Sequence, residues 1–296
     1  MTGALRTPEE RFAGLPDFEY EPRYHDWEGL RLAYLDAGEG PPVVLFHGEP
    51  TWSFLYRTTI AALVTAGYRA IAPDLPGFGR SDKPTDPAFY TYDRHTAAMA
   101  SLLGALRVSG AAAVVHDWGG PIGLRLAVDI PGMFTRLTVL NTGLFTGGPV
   151  SEGFLRWRAH VERSPVLDVG RVMRRSAARP WPEEVIAGYE APFPVPDSTI
   201  GAQRFPLIVP LTGDDPGAAE MRRVRIALKR FEGPAQVLFS TGDPIFGLDA
   251  GERWTALLPG AGSLETVDDA GHFLQEDRSE AVAAAIVAFL DDTPRA

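Results

Sequence analysis

Short apolar, β-branched runs recur along the chain at 30–35, 43–47, 68–73, 111–116, 136–141, 235–241 and 263–267. Between them, apolar residues return at helical spacing over 54–65, 94–106, 121–129, 219–231, 250–257 and 279–290. Strand-then-helix alternation predicts parallel strands joined by crossover helices, hence an α/β fold with a mostly parallel, doubly wound sheet. Runs rich in Val, Leu and Ala, without polar alternation, predict strands covered on both faces.

The alternation breaks from about 145 to 218. That stretch carries many Pro and Arg residues and Pro-aromatic segments such as Arg179-Pro180-Trp181-Pro182 and Ala191-Pro192-Phe193-Pro194. It predicts short helices with irregular links, after which the strand pattern resumes. The expected organisation is a core domain of residues 1–144 and 219–296 with a helical cap, 145–218, inserted over the C-terminal ends of the strands. Ligands bind there in open α/β sheets.

Composition narrows the chemistry. The 296 residues are 45% hydrophobic and 22% charged, ordinary for a globular protein with a real core. No apolar run reaches spanning length, and the N-terminus lacks the apolar core of a signal peptide. The absence of cysteine removes disulfides, thiolate metal sites and cysteine nucleophiles, and fits a reducing, cytoplasmic location. A net charge of −10 argues against a nucleic-acid surface and, at long range, disfavours anionic substrates.

The most informative segment is Ala113-Val114-Val115-His116-Asp117-Trp118-Gly119-Gly120, an apolar strand entering a tight turn before a helix. This is the plan of a nucleophile elbow, with Asp117 in the nucleophile's place and Val115 where a small residue is usual. Taken alone, Asp117 also reads as a helix cap. Val43-Val44-Leu45-Phe46-His47-Gly48-Glu49-Pro50 ends a buried strand in a turn whose Glu49 N–H, with that of Trp118, would form an oxyanion hole. Asp74 to Asp82 is a glycine-punctuated loop without the Lys-Ser/Thr of a phosphate-binding loop, and reads as structural. Asp243 follows the run 235–241, and His272 follows the run 263–267. Nucleophile, acid and histidine thus fall in chain order, each at a strand's C-terminal end. That order favours a catalytic reading over three unrelated turn residues.

An aspartate nucleophile suits a saturated carbon. Its carboxylate is ionised near neutral pH, with an ordinary pKa of about 3.9. Attack on an sp³ carbon gives an ester that water can cleave at the aspartyl carbonyl. The leaving group then separates alkyl halides, epoxides and haloacids. An epoxide oxygen needs an acid, usually a cap tyrosine, and the cap holds only Tyr189. A haloacid needs cations beside the nucleophile, where Trp118 and Pro121 offer none. A halide needs N–H donors in an apolar pocket, and Trp118 supplies an indole. The cap offers Trp157 and Trp181 as a second donor, and Trp181, between two prolines, reads as structural.

These segments resemble the haloalkane dehalogenases of the α/β-hydrolase superfamily. The likeness runs through His47-Gly48-Glu49-Pro50-Thr51-Trp52-Ser53, Asp74 to Pro84, His116 to Gly120, Gly242-Asp243 and Asp269-Ala270-Gly271-His272-Phe273, with Gly153-Phe154-Leu155-Arg156-Trp157 in the cap. The resemblance implies Asp117 as nucleophile, His272 as base and Asp243 as the acid that orients it. It implies halide binding by Trp118 and Trp157, and oxyanion N–H groups from Glu49 and Trp118. It also implies a pocket wall including Phe154, Phe205 and Pro206. Relatives that place the acid after the earlier strand use a glutamate; here that strand ends in Asn141, which cannot serve. The implied partners are a small apolar halogenated substrate, water and halide, with no metal or organic cofactor. The oligomeric state stays open.

Overall fold

Every residue of Ala111–His116 and of Ala235–Ser240 is buried, so these strands need cover on both faces. The structure, a computed structural model, describes residues 3–293. Its strands are β1 (Ala4–Leu5), β2 (Arg23–Trp27), β3 (Leu30–Ala37), β4 (Pro42–Phe46), β5 (Arg69–Pro73), β6 (Lys83–Pro84), β7 (Ala111–His116), β8 (Phe134–Leu140), β9 (Ala235–Ser240) and β10 (Glu265–Val267). Its helices are α1 (Arg57–Thr65), α2 (Tyr92–Ala105), α3 (Gly119–Asp129), α4 (Glu152–Arg163), α5 (Val169–Ser176), α6 (Glu183–Glu190), α7 (Ile200–Leu207), α8 (Ala218–Leu228), α9 (Leu248–Leu257), α10 (Leu274–Asp277) and α11 (Ser279–Asp292).

The main sheet runs β10-β9-β8-β7-β4-β5-β3-β2. Pairing is parallel from β10 through β5, and β3 and β2 join antiparallel at one edge. Alternate residues feed two separate cores. Val44, Phe46, Ala113, Val115, Val237 and Phe239 face one, while Val43, Leu45, Ala112, Val114 and Leu238 face the other. Each fully buried Val, Leu or Phe contributes about 1.5–3 kcal/mol relative to exposure. That explains why these runs are continuously apolar.

Two features depart from the sequence expectation. The β2–β3 edge is antiparallel, and β2 carries the half-exposed polar run Arg23-Tyr24-His25-Asp26, which gives no apolar signal. Charged residues on an edge strand guard it against pairing with another chain. Helix α10 is a single turn that starts two residues past His272, too short to leave a periodic trace.

Between β8 and β9 the chain makes α4 to α7 with a short 3₁₀ turn, Pro196–Thr199. Helix α4 packs on α7 and α5 on α6, whereas α8 returns to pack on α3. Directed bonds tie this lobe down. Trp52 Nε1 donates to Gly188 O at 3.0 Å, and Tyr189 Oη donates to Glu276 Oε2 at 2.6 Å. Glu276 is itself paired with buried Arg57 at 2.6 Å. No helix among the described residues is long and apolar enough to cross a membrane.

Candidate active site

Strand β7 ends at His116, and Asp117 then takes a left-handed conformation, φ +49°, before α3 begins. A non-glycine residue held there costs about 1–3 kcal/mol, which the surroundings must offset. Gly120 N donates to Asp117 O at 2.9 Å, and Thr142 Oγ1 donates to the same oxygen at 2.6 Å. The bulky Val115 is accommodated by Gly123, one turn into α3, where an added Cβ would lie 2.7 Å from Val115 Cγ1. The turn from β4 must also come close: a Cβ on Gly48 would sit 2.1 Å from Asp117 Oδ1.

That closeness brings Glu49 N to 2.7 Å from Asp117 Oδ1, donating to it, with the Trp118 N–H also supporting the carboxylate. Asp117 Oδ2 instead lies 3.6 Å from His272 Nε2. Burial pushes the Asp117 pKa upward, but His272, His116 and the Trp118 amide outweigh it and leave it below the ordinary value. The group is therefore ionised at neutral pH.

His272 Nδ1 donates to Asp243 Oδ2 at 2.8 Å, and the Asp243 side chain is fully buried. Its other oxygen accepts from Ile245 N at 2.7 Å. Burial works to lower the His272 pKa, yet Asp243 and Asp117 together push it up to about 10. Glu49 behaves oppositely. Burial first, then Asp117, raises its carboxyl well above the ordinary range, while the Trp157 indole N–H partly opposes the rise. Burial thus biases Glu49 toward its neutral form, which repels a nearby anion less than a carboxylate would.

The loop bearing His272 is held by residues the sequence did not single out for that task. His116 Nε2 lies 2.8 Å from His272 O, an acceptor only, so that nitrogen carries the proton. Burial lowers the His116 pKa to about 4. Asn141 Nδ2 reaches Ser240 Oγ at 2.7 Å and the carbonyls of Gly271 and His272 at 3.2 Å. The position that cannot serve as the acid therefore braces the base. Asp277 Oδ2 accepts from Gly271 N at 2.8 Å, while its Oδ1 accepts from Trp181 Nε1 at 2.8 Å and Ala178 N at 3.1 Å. Trp181 is occupied there, on the far side of the loop.

Above Asp117 lies a cavity of about 870 Å³. Trp118, Trp157, Phe154 and Pro206 line it together with Asp117 and His272. Phe205 does not. It is wholly buried behind Trp118, edge-on at 5.0 Å, with Phe78 at 4.9 Å on its other side. Helix α7 turns Pro206 to the cavity and Phe205 into the core, a one-residue rotation the sequence could not resolve. Trp157 stacks on His160 at 5.8 Å. Tyr189 is buried and donates to Glu276, and no tyrosine lines the cavity among the described residues.

Comparison with known proteins agrees with this geometry. A family model described as alpha/beta hydrolase fold matches residues 41–279. A haloalkane dehalogenase of Psychrobacter cryohalolentis is 43% identical, the match covering 98% of this chain and 99% of that one. Another, of Mycobacterium marinum, is 43% identical over 96% of this chain and 99% of its own. Among solved structures, a tetrameric haloalkane dehalogenase from Paraglaciecola agarilytica superposes with a TM-score of 0.90 at 35% identity, covering 96% of this chain and 97% of that one. An ionised aspartate at the elbow, a histidine–aspartate pair beside it and full-length likeness at this level all agree: the chain belongs to the haloalkane dehalogenases of the α/β-hydrolase fold.

Proposed function

We propose that this enzyme hydrolyses haloalkanes to an alcohol, halide and a proton through an alkyl ester on Asp117. The observation that carries the reading is the ionised Asp117 carboxylate, one oxygen cradled by the Glu49 N–H and the other facing His272 Nε2 at 3.6 Å, in a cavity walled by two indoles. Asp117 Oδ2 attacks the carbon bearing the halogen. The C–X bond breaks with its electron pair leaving on the halide, which Trp118 and Trp157 receive through their indole N–H groups. The attack consumes the charge of Asp117, and with it one of the two influences that raise His272. His272 then loses its proton to solvent and can act as a base at lower pH than in the free enzyme. Its Nε2 takes a proton from water, and the hydroxyl adds to Asp117 Cγ. The charge that gathers on Oδ1 meets the Glu49 and Trp118 N–H groups, where one such donor is worth about 10²–10³ in rate. Collapse expels the alkoxide, which takes the hydroxyl proton of the re-formed Asp117 carboxyl and leaves as the alcohol. Asp117 is again ionised and His272 again protonated, so the one proton released per turnover is that lost from His272 after alkylation.

Residues 145–218 act as the cap in this scheme, with residues 1–144 and 219–296 as the core. The support is that α4 to α7 pack on one another above the strand ends while α8 packs on α3.

Epoxide hydrolysis is disfavoured by Tyr189, whose hydroxyl is committed to Glu276 and which does not line the cavity. Purified protein is expected to release bromide and acid from 1-bromobutane and to leave styrene oxide intact. Diol formation from the epoxide without bromide release would overturn the reading. The halide clamp has its own test. Trp157→Phe is expected to weaken bromide binding by about tenfold, the loss of one charge-assisted hydrogen bond. Quenching of tryptophan fluorescence by bromide reads this, and an unchanged midpoint would remove Trp157 from the clamp.

A further inference from the structure

The formal charge of −10 hides a local reversal of sign. Arg156 on α4 and Arg171 and Arg175 on α5 line the same cavity that Asp117 and Trp118 line. All three arginines are exposed, whereas Trp118 and His272 are buried. The arginines therefore mark the mouth, and the nucleophile marks the floor. Arg156 has a partner, Glu152 at 3.4 Å, in a pair whose side chains are both mostly in water. Neither Arg171 nor Arg175 is ion-paired among the described residues.

Among the described residues, no acid on the same wall is ion-paired with Arg171 or Arg175. Asp168 faces its own backbone, where it accepts from Arg171 N at 2.9 Å and caps α5. Asp269 is paired with Arg278. Glu49, near the floor, is biased toward its neutral form by burial. Between floor and mouth the wall is largely apolar, with Phe154, Val172, Val209, Ile245 and Phe246. The cavity thus offers a nucleophile and indoles at one end, an apolar middle, and two uncommitted guanidinium groups at the other.

Resting on the dehalogenase reading above, we propose that the enzyme accepts haloalkanes bearing an anion at the end remote from the halogen. The ω-halocarboxylates are the simplest class, their carboxylate received at the mouth by Arg171 and Arg175. Guanidinium groups match a carboxylate in shape and can bind it through two parallel hydrogen bonds. Chain length becomes the selector. In a short haloacid the carboxylate is drawn down beside Asp117, where no cation waits and like charge repels it. In a longer one it reaches the arginines.

The test compares matched pairs, each ω-bromoalkanoate from butanoate to dodecanoate against the 1-bromoalkane of equal length. Bromide release is followed for the wild type and for the double variant Arg171→Gln/Arg175→Gln. In the wild type, short acids are expected to be far poorer than their alkanes and long acids to match or exceed them. The double variant is expected to raise KM for the long acids by about tenfold, the order expected of two exposed charge pairs, while kcat is unchanged. Bromoalkane kinetics stay as in the wild type. The effect on the acids shrinks as salt rises, because exposed charges are screened over about 8–10 Å. Long acids that remain poor, or a variant that leaves their KM unaltered, would overturn the proposal. So would a variant that alters bromide inhibition equally for both series, which would assign the arginines to halide exit. Calorimetric binding of decanoate to wild type and variant tests the mouth without any turnover. Loss of decanoate binding in the variant upholds the mouth even if no bromoalkane reacts, and that second failure would fall on the dehalogenase reading alone.

Discussion

His272→Phe is expected to take up one alkyl group from a 1-bromoalkane and keep it. Alkylation needs an ionised Asp117 and donors for the halide, and none of those is the imidazole. Ester hydrolysis needs a base, and a positioned general base contributes about 10²–10⁴ in rate. The phenyl ring fits the space between Phe246, which stacks on His272 at 6.0 Å, and Phe273 at 4.8 Å, so the variant keeps its fold. Intact-protein mass spectrometry after exposure to 1-bromobutane would show the protein heavier by one butyl group. Proteolysis would place that group on the peptide containing Asp117. An unchanged mass, with the halide still released, would mean that no ester lies on the path. Because His272 helps to hold the Asp117 pKa down, loading of the variant should also fade at a higher pH than alkylation of the wild type.

Asp243→Asn carries the second large effect. Asp243 accepts from His272 Nδ1, which leaves Nε2 free to take a proton from water. An asparagine can turn its amide N–H toward Nδ1, which then becomes the acceptor. The ring proton moves to Nε2, and the base is lost. The equivalent exchange in a serine-protease triad lowers turnover about 10⁴-fold, and a similar loss is expected here in ester hydrolysis. The pH profile separates this from mere loosening. Ester hydrolysis requires neutral His272, so its rate rises with pH through the His272 pKa. Asp243 is the first of the groups that raise that pKa, against a burial effect that lowers it. Without its charge the rising limb should move to lower pH while the plateau falls. Single-turnover decay of the ester across pH would show both changes, and a limb that stays in place would argue that Asp243 does not set the state of His272.

Residues close in sequence were readable, and residues joined by the fold were not. The run Ala111–His116 and its turn announced an elbow because a strand buried on both faces has no polar alternation and ends abruptly at glycines. The sequence placed Asp117, Asp243 and His272 at strand ends, and the fold brings the three side chains together. The braces behind them gave no such signal. Asn141 and His272 are far apart in sequence and meet only because β8 and β10 both flank β9 in the sheet. Asp277 sits in a one-turn helix with no periodic trace. The direction of Phe205 depended on the rotation of α7, which Pro206 inside that helix obscures. The charged mouth was masked by its own average: a strongly acidic composition says nothing of where a few arginines converge.

The carboxyl group of Asp277 bonds at once to the loop carrying the catalytic imidazole and to the segment linking α5 and α6. The lobe over the active site is therefore not an interchangeable lid. A chimera that borrowed the lobe of a relative for its substrate range, without matching the backbone at Ala178 and the indole at Trp181, would inherit a displaced proton acceptor. Its chemistry would weaken for every substrate alike, whatever the new walls were shaped to hold.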